Sequence, residues 1–395
     1  MGLKIVCSGY LVRHPVGGHS WHHLQYLVGF QRLGHEVTFF EDYGWPNSCY
    51  DPTRGVMTAE PGYGISYLLS LLRPHGLDNR WCYLAEDGTA YGMPRERLAQ
   101  ACRECDVYVN LSNINWIPEL EQCRRRLLVD TDPAFTQIGG HGLGGPFSRY
   151  HTLFTYGENV HLPGCDMPAG GARWLPTRQP VVLDLWPVKA AYPSAPFTTV
   201  VNWSAYGDRE HEGRVYGQKD REFEPFFSLP RDTGEAMEIA VNNAPETVRE
   251  RLTDGGWRLA DPLEVAKNPW TYQRYLWASR AEFGVAKHGY ASTQCGWFSD
   301  RSSAYLAMGR PIVVQDTGFS AFLPCGEGLL AYRTPEEAVA AIRRLHDDYD
   351  AHCRAARAVV EEYFDARQVL TCLLEQGFEN HLSQSRVHDE NRAYG

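Results

Sequence analysis

The sequence predicts an α/β protein of two doubly wound, Rossmann-like domains that face each other across a cleft. Three observations predict it. The chain has 395 residues, room for two cores at roughly 100–200 residues per domain. A strand–loop–helix–strand grammar runs through the first half and returns in the second. Between them, residues 163–196 are rich in Pro and Gly, the composition of a connection. The expected division is a first domain over 1–190, a second over 191–365, a C-terminal helix over 366–382 that crosses back to the first domain, and a mobile tail over 383–395 that lacks apolar anchors.

Each element follows from its pattern. LKIVCSGYL (3–11) is a continuous apolar run bounded by Gly and Pro, as expected of a parallel strand buried on both faces. The loop RHPVGGH leads into a helix with Leu24, Leu27, Val28 and Phe30 to Leu33 on one side, stopped by Gly34, and then into HEVTFFED. CDVYVNLSN (105–113) and RLLVDTD (126–132) repeat the strand pattern around a helical PELEQCRR. After the connection come FTTVVNWSA, AMEIAVNN, the helical YQRYLWASRA, the strand EFGVAKH, the helix RSSAYLAMG and the strand RPIVVQD. From Pro335 to Gln376 the pattern is mainly helical.

Composition narrows the function. A formal charge of -10 offers no general basic surface to a phosphate backbone, so no nucleic acid partner is expected. No apolar run reaches the roughly 18 residues of a membrane span, and the N-terminus reads as a strand and lacks the zones of a signal peptide, so a cytoplasmic protein is expected. Eleven cysteines are scattered without a framework, and the single C-x-x-C, Cys102 to Cys105, has no second pair at zinc-ligand spacing.

In doubly wound sheets ligands bind at the carboxyl ends of strands, so chemistry is sought in the loops just after them. The first such loop holds Gly17, Gly18 and His19. Paired glycines let a backbone approach a ligand and leave amides free at a helix N-terminus, and a histidine oriented by a carboxylate serves as a general base near neutral pH. Asp130 and Asp132, at the end of RLLVDTD, are the candidate orienting groups. His14, His19, His22 and His23 are dense but carry no acidic metal ligand, so no metal is expected. In the segment 287–318, Ser299, Asp300, Arg301, Ser302 and Ser303 open a helix whose amides, hydroxyls and positive end suit a pyrophosphate, although Ser299 and Asp300 equally serve as N-caps. Gln315 and Asp316 end the next strand on the same cleft.

On these loops the chain resembles a nucleotide-sugar-dependent glycosyltransferase of the GT-B fold, over roughly residues 1–380. Gly18-His19, then Gly34 and Val37-Thr38, keep the spacing of plant-type members, whose histidine is the catalytic base. Cys295-Gly296-Trp297 with Ser299 is similar to their donor-binding motif, and Gly309-x-Pro311-Ile-Val-Val to the strand that follows it. The run from Gly318 through Gly326-x-Gly328-Leu329-Leu330 to Pro335-Glu336-Glu337 looks more like the retaining bacterial branch. Two positions depart from the pattern: Gln294 stands where the family has a phosphate-binding histidine, and Ala304 where it has a ribose-binding acid.

The resemblance implies metal-independent transfer from a nucleoside diphosphate sugar, of UDP or GDP type, with no further cofactor. His19 would remove the acceptor proton with help from Asp132. Ser204, Lys219, Lys287, Ser299, Asp300, Arg301, Ser302 and Ser303 would hold the donor, with Gln315 and Asp316 on its sugar hydroxyls. Gly17, Gly18, Trp21 and Trp116 would line the acceptor side. The acceptor is expected to be a small molecule offering a hydroxyl, or a thiol as in lincosamide S-glycosylation, in bacterial specialised metabolism. A sugar-nucleotide 2-epimerase and a binding module without turnover are the rival readings.

Overall fold

The computed structural model describes residues 2–139, 143–190 and 194–393, with side chains as far as Glu379. Ten strands precede residue 177: β1 (Lys4–Ser8), β2 (Glu36–Asp42), β3 (Cys49–Asp51), β4 (Val56–Thr58), β5 (Trp81–Leu84), β6 (Ala90–Gly92), β7 (Val107–Leu111), β8 (Arg125–Asp130), β9 (Thr152–Thr155) and β10 (Trp174–Pro176). Eight of them form one sheet in the order β10-β9-β8-β7-β1-β2-β5-β6, parallel throughout except for the β5–β6 edge. Eight strands follow: β11 (Phe197–Asn202), the hairpin β12 (Arg209–His211) and β13 (Arg214–Tyr216), β14 (Met237–Asn242), β15 (Arg258–Ala260), β16 (Ala281–Gly284), β17 (Ile312–Gln315) and β18 (Leu329–Tyr332). The second sheet runs β15-β14-β11-β16-β17-β18, all parallel.

The continuous apolar runs of the sequence are the central strands, covered on both faces: every residue of β7 and of β16 is buried. Strand order reverses at β1, which lies between β2 and β7, and at β11, between β14 and β16. These reversals are the switch points at which neighbouring loops diverge and leave a crevice.

Two segments differ from expectation. β10 lies inside the stretch read as a connection and joins the first sheet, because Trp174 is 1% exposed, beside Phe147, and outweighs the prolines and glycines around it. The last helix, Ala366–Ala393, carries helical backbone through most of the expected tail 383–395; the side chains there, and residues 394 and 395 altogether, lie outside the described residues. Its earlier turns lie on the first half: Leu370 meets Gly29 of the helix Gly17–Arg32, and Gly377 meets Leu127 of β8. One apolar cluster therefore contains Ile5, Leu27 and Val129 together with Leu306, Val360 and Leu374.

Candidate functional site

A cavity of about 750 Å³ opens between the two sheets, walled by the loops that leave their switch points. The first sheet supplies Tyr10 and His19 beyond β1, Ser112, Asn113 and Ile114 after β7, and Thr131 and Asp132 after β8. Glu41 of β2, fully buried, stitches this wall together. Its carboxylate accepts the amides of Leu11, Val12 and Arg13, each at 2.8 Å, and Nε of Arg13 at 3.2 Å. The Arg13 guanidinium continues to Asn115 Oδ1 at 2.9 Å, and Asn115 Nδ2 returns to the Gly9 carbonyl at 2.8 Å. Burial pushes the Glu41 carboxyl up to about 7, against the pull of Arg13 and the three amides.

The histidines have assignable tautomers. His19 Nε2 lies 2.9 Å from the Tyr10 carbonyl, which only accepts, so Nε2 carries the proton and Nδ1 keeps a lone pair. His23 is the reverse: the Tyr10 amide donates to its Nε2 at 3.3 Å, and its Nδ1 donates to the His19 carbonyl at 3.0 Å. Burial, followed by the neighbouring His23, His14 and His22, holds His19 well below the ordinary imidazole range, and burial pushes His23 down to about 3. Among the described residues no group of three or more His, Cys, Asp or Glu is arranged to hold a metal ion.

The second sheet supplies a cationic wall. Lys219, Lys287, Arg209 and Arg301 all line the cavity, with Tyr206 and Tyr290 beside them. Arg301 gives Nε to buried Glu282 at 2.5 Å and Nη1 to the Val200 carbonyl at 2.7 Å, which fixes the start of the helix Asp300–Ala307 onto the sheet. Ser299 caps that helix, its Oγ accepting the Arg301 amide at 3.2 Å. Lys287 Nζ reaches across to Asp132 at 2.9 and 3.1 Å and donates to the Tyr206 hydroxyl at 2.9 Å. The Tyr206 and Tyr290 hydroxyls donate to the same carboxylate. Lys219 Nζ has no hydrogen bond or ion pair among the described residues; burial, with Arg301 and Lys287 adding repulsion, lowers its pKa well below the ordinary ammonium range.

No protein-family model matches the chain, and no curated protein matches it in sequence. Solved structures do. An alpha-glucosyltransferase (AGT) in complex with UDP superposes with a TM-score of 0.57 at 9% identity, over 95% of this chain and 100% of that one. AviGT4, a glycosyltransferase involved in avilamycin A biosynthesis, gives 0.55 at 15% identity, over 95% and 97%. HepE of Anabaena, in complex with UDP and glucose, gives 0.53 at 10% identity, over 95% and 99%. The chain has the GT-B fold. The alpha-glucosyltransferase is also solved with UDP and a 13-mer DNA. No helix among the described residues is long and apolar enough to cross a membrane.

Within this GT-B cleft the expected residues divide. His19, Gly18, Asp132, Lys219, Lys287, Ser299, Asp300 and Arg301 line the cavity. Asp132 faces Lys287, whereas the Tyr10 carbonyl takes the His19 proton. The Gly17 amide is taken by the Ala266 carbonyl at 2.8 Å, so it is not free for a ligand. Trp21 is buried against Trp186, with Nε1 on the Pro269 carbonyl at 2.8 Å, and Trp116 lies under the Arg149 guanidinium. Ser302 and Ser303 are buried beside smaller cavities. Ser204 Oγ bonds the Tyr206 carbonyl, Gln315 bonds Glu222 and the Ala286 amide, and Asp316 caps Gly318 and pairs with Arg333. Sequence reasoning missed Tyr206, Tyr290 and Arg209; Tyr206 lies in the loop after β11 and Tyr290 in the short helix His288–Ala291 after β16, where the strand-end rule points.

Proposed function

We propose that this protein transfers a glycosyl group from a nucleoside diphosphate sugar to a small-molecule acceptor. The observation that carries this is the asymmetry of one cavity: Lys219, Lys287, Arg209 and Arg301 on the second-sheet wall, Lys219 among them without a hydrogen bond or ion pair among the described residues, and hydroxyl, amide and imidazole groups beside the single carboxylate of Asp132 on the first. A diphosphate leaving group develops negative charge that Lys219, Lys287 and the amide end at Ser299 meet, with no metal required. The neutral wall of Tyr10, His19, Ser112 and Asn113 suits an uncharged acceptor. With its pKa depressed, His19 is a weak base, and its free Nδ1 serves better to accept an acceptor hydrogen bond. The formal charge of -10 favours a small molecule over DNA as acceptor. AviGT4 makes specialised metabolism a sensible place to look for it.

Thermal-shift measurement with UDP, GDP, dTDP and ADP tests this reading. One nucleoside diphosphate, UDP first among them, should raise the melting temperature of the wild type, and Lys219→Met should abolish the shift. Absence of a shift with all four would overturn the proposal. Free nucleotide released from the donor without an acceptor, together with an epimerised sugar, would favour the 2-epimerase reading instead.

A further inference from the structure

The groups that bridge the cavity do so in a way that glycosyl transfer by itself does not require. Asp132 leaves the end of β8 in the first sheet, and Lys287, Tyr206 and Tyr290 leave the ends of β16 and β11 in the second. All four line the cavity. Lys287 Nζ sits 2.9 Å from Asp132 Oδ1 and 2.9 Å from the Tyr206 hydroxyl, and both tyrosine hydroxyls donate to the carboxylate. The rings of Phe135, Tyr206 and Tyr290 surround the ammonium with centroids at 4.9, 4.6 and 5.2 Å. The side chains of the pair are 30% and 15% exposed, so water and ligand reach them. One carboxylate thus occupies the very cation that a diphosphate in this cavity would use, while Lys219, another cation of the same wall, has no hydrogen bond or ion pair among the described residues.

We infer that Asp132 and the donor diphosphate compete for Lys287, and that Asp132, once displaced, is the catalytic base of the transfer. This rests on the functional reading above. Before the donor arrives Asp132 is neutralised by Lys287 and saturated with hydrogen bonds, which makes it a poor proton acceptor. A diphosphate offers Lys287 and Lys219 stronger charge-assisted bonds than one carboxylate does. Lys287 then turns to the leaving group, and Asp132, still held by the two tyrosine hydroxyls, faces the acceptor space beside Thr131 and Ser112 with the lone pairs that Lys287 had occupied now free. In the transfer step the acceptor O–H breaks and its proton goes to Asp132. The acceptor oxygen bonds the anomeric carbon. The bond from that carbon to the diphosphate oxygen breaks, and its electron pair stays on the diphosphate against Lys287 and Lys219. Asp132 then releases its proton to water, which reaches it, and when the nucleotide leaves, Lys287 recaptures the carboxylate. The base is available only with the donor in place, so an acceptor bound without donor keeps its proton.

The test is a double-mutant cycle on UDP affinity, with GDP, dTDP and ADP run alongside, read by calorimetry together with turnover. Asp132→Asn should bind the nucleotide about tenfold tighter than the wild type, because its competitor for Lys287 is gone, yet turn over at least a hundredfold more slowly. In a Lys287→Met background, where there is nothing to compete for, the same change should leave affinity within twofold. Asp300→Asn, which removes a different carboxylate from the same cavity, should keep its effect on affinity in that background, which separates competition from general charge removal. Should the Asn variant melt early, Asp132→Ser replaces it in the cycle. Nucleotide binding that is unchanged or weaker in Asp132→Asn, or a gain that persists without Lys287, overturns the inference while leaving the functional reading intact. Failure of the wild type to bind any of the four nucleotides overturns both.

Discussion

Lys219 is a cation in a cavity that already holds Arg301 and Lys287, and this costs the free protein something that a ligand would return. Burial and those two neighbours lower its pKa well below 10.5 in the folded state, whereas the unfolded chain keeps the ordinary value. Between the two values the unfolded state binds more protons, so stability should rise with pH across that window; below it the penalty is present in full. A bound diphosphate reverses the sign locally, because it favours the charged ammonium. Nucleotide binding should therefore take up protons at any pH between the lowered and the ordinary value. Calorimetry in two buffers of different ionisation enthalpy measures that uptake directly. The wild type should show it and Lys219→Met should not; equal apparent enthalpies in both buffers across the range would show that Lys219 does not meet the diphosphate.

At the scale of the element, the helix Gly17–Arg32 does more than line the first wall: its first turn is packed directly on the second half. The Gly17 amide bonds the Ala266 carbonyl, and a Cβ on Gly17 would stand 2.4 Å from the Asn268 carbonyl oxygen. That neighbour is backbone and cannot rotate away. Gly17→Ala should destabilise the protein by about 1–3 kcal/mol, the usual cost of overpacking, even though alanine is the better helix former. Ser299→Ala removes only a cap and should cost about 0.5–2 kcal/mol without disturbing the contact between the halves. Urea denaturation with nucleotide titration separates them: Gly17→Ala should weaken nucleotide binding as well as stability, and retention of wild-type stability would mean the two loops have room to part. The same helix shows what could be read in the sequence. Its body from Leu24, its stop at Gly34 and the buried strands on either side follow from periodicity and punctuation, as does the cap at Ser299; its first turn, Gly17 to His19, reads as loop and is helix. The close approach of Gly17 to Asn268 joins positions far apart in the chain, and no local pattern encodes it, so the paired glycines looked like a ligand loop. For the same reason Asp132 was matched with His19 rather than with Lys287: the residue types at the strand ends were legible, but which wall each would face depends on how the two sheets meet.

For the whole molecule, the decisive feature is that the halves share a core. The final helix places Leu370 on Gly29 and Gly377 on Leu127, and the Ala366 amide bonds the Val181 carbonyl at 2.9 Å, so the chain closes back on its own first half. Since the main apolar cluster draws on both sheets' surroundings, opening either half exposes surface belonging to the other. The protein should therefore melt in a single transition, and a nucleotide held mainly by the second half should protect the first equally. Saturation at 100 times the dissociation constant adds about 2.7 kcal/mol. With an unfolding entropy of about 2.1 cal/mol/K per residue, a chain of 395 residues gains only about 3 °C from that, spread over the entire transition. Leu370 is fully buried, and Leu370→Ala should remove about 2–5 kcal/mol and, by loosening the strap between the halves, split the melt so that the nucleotide shifts only its upper step. Differential scanning calorimetry of the two proteins with and without UDP decides the matter. A wild type that already melts in two steps, with UDP moving only one, would mean that the halves are thermodynamically independent and that the cleft between them is held by the ligand rather than by the fold.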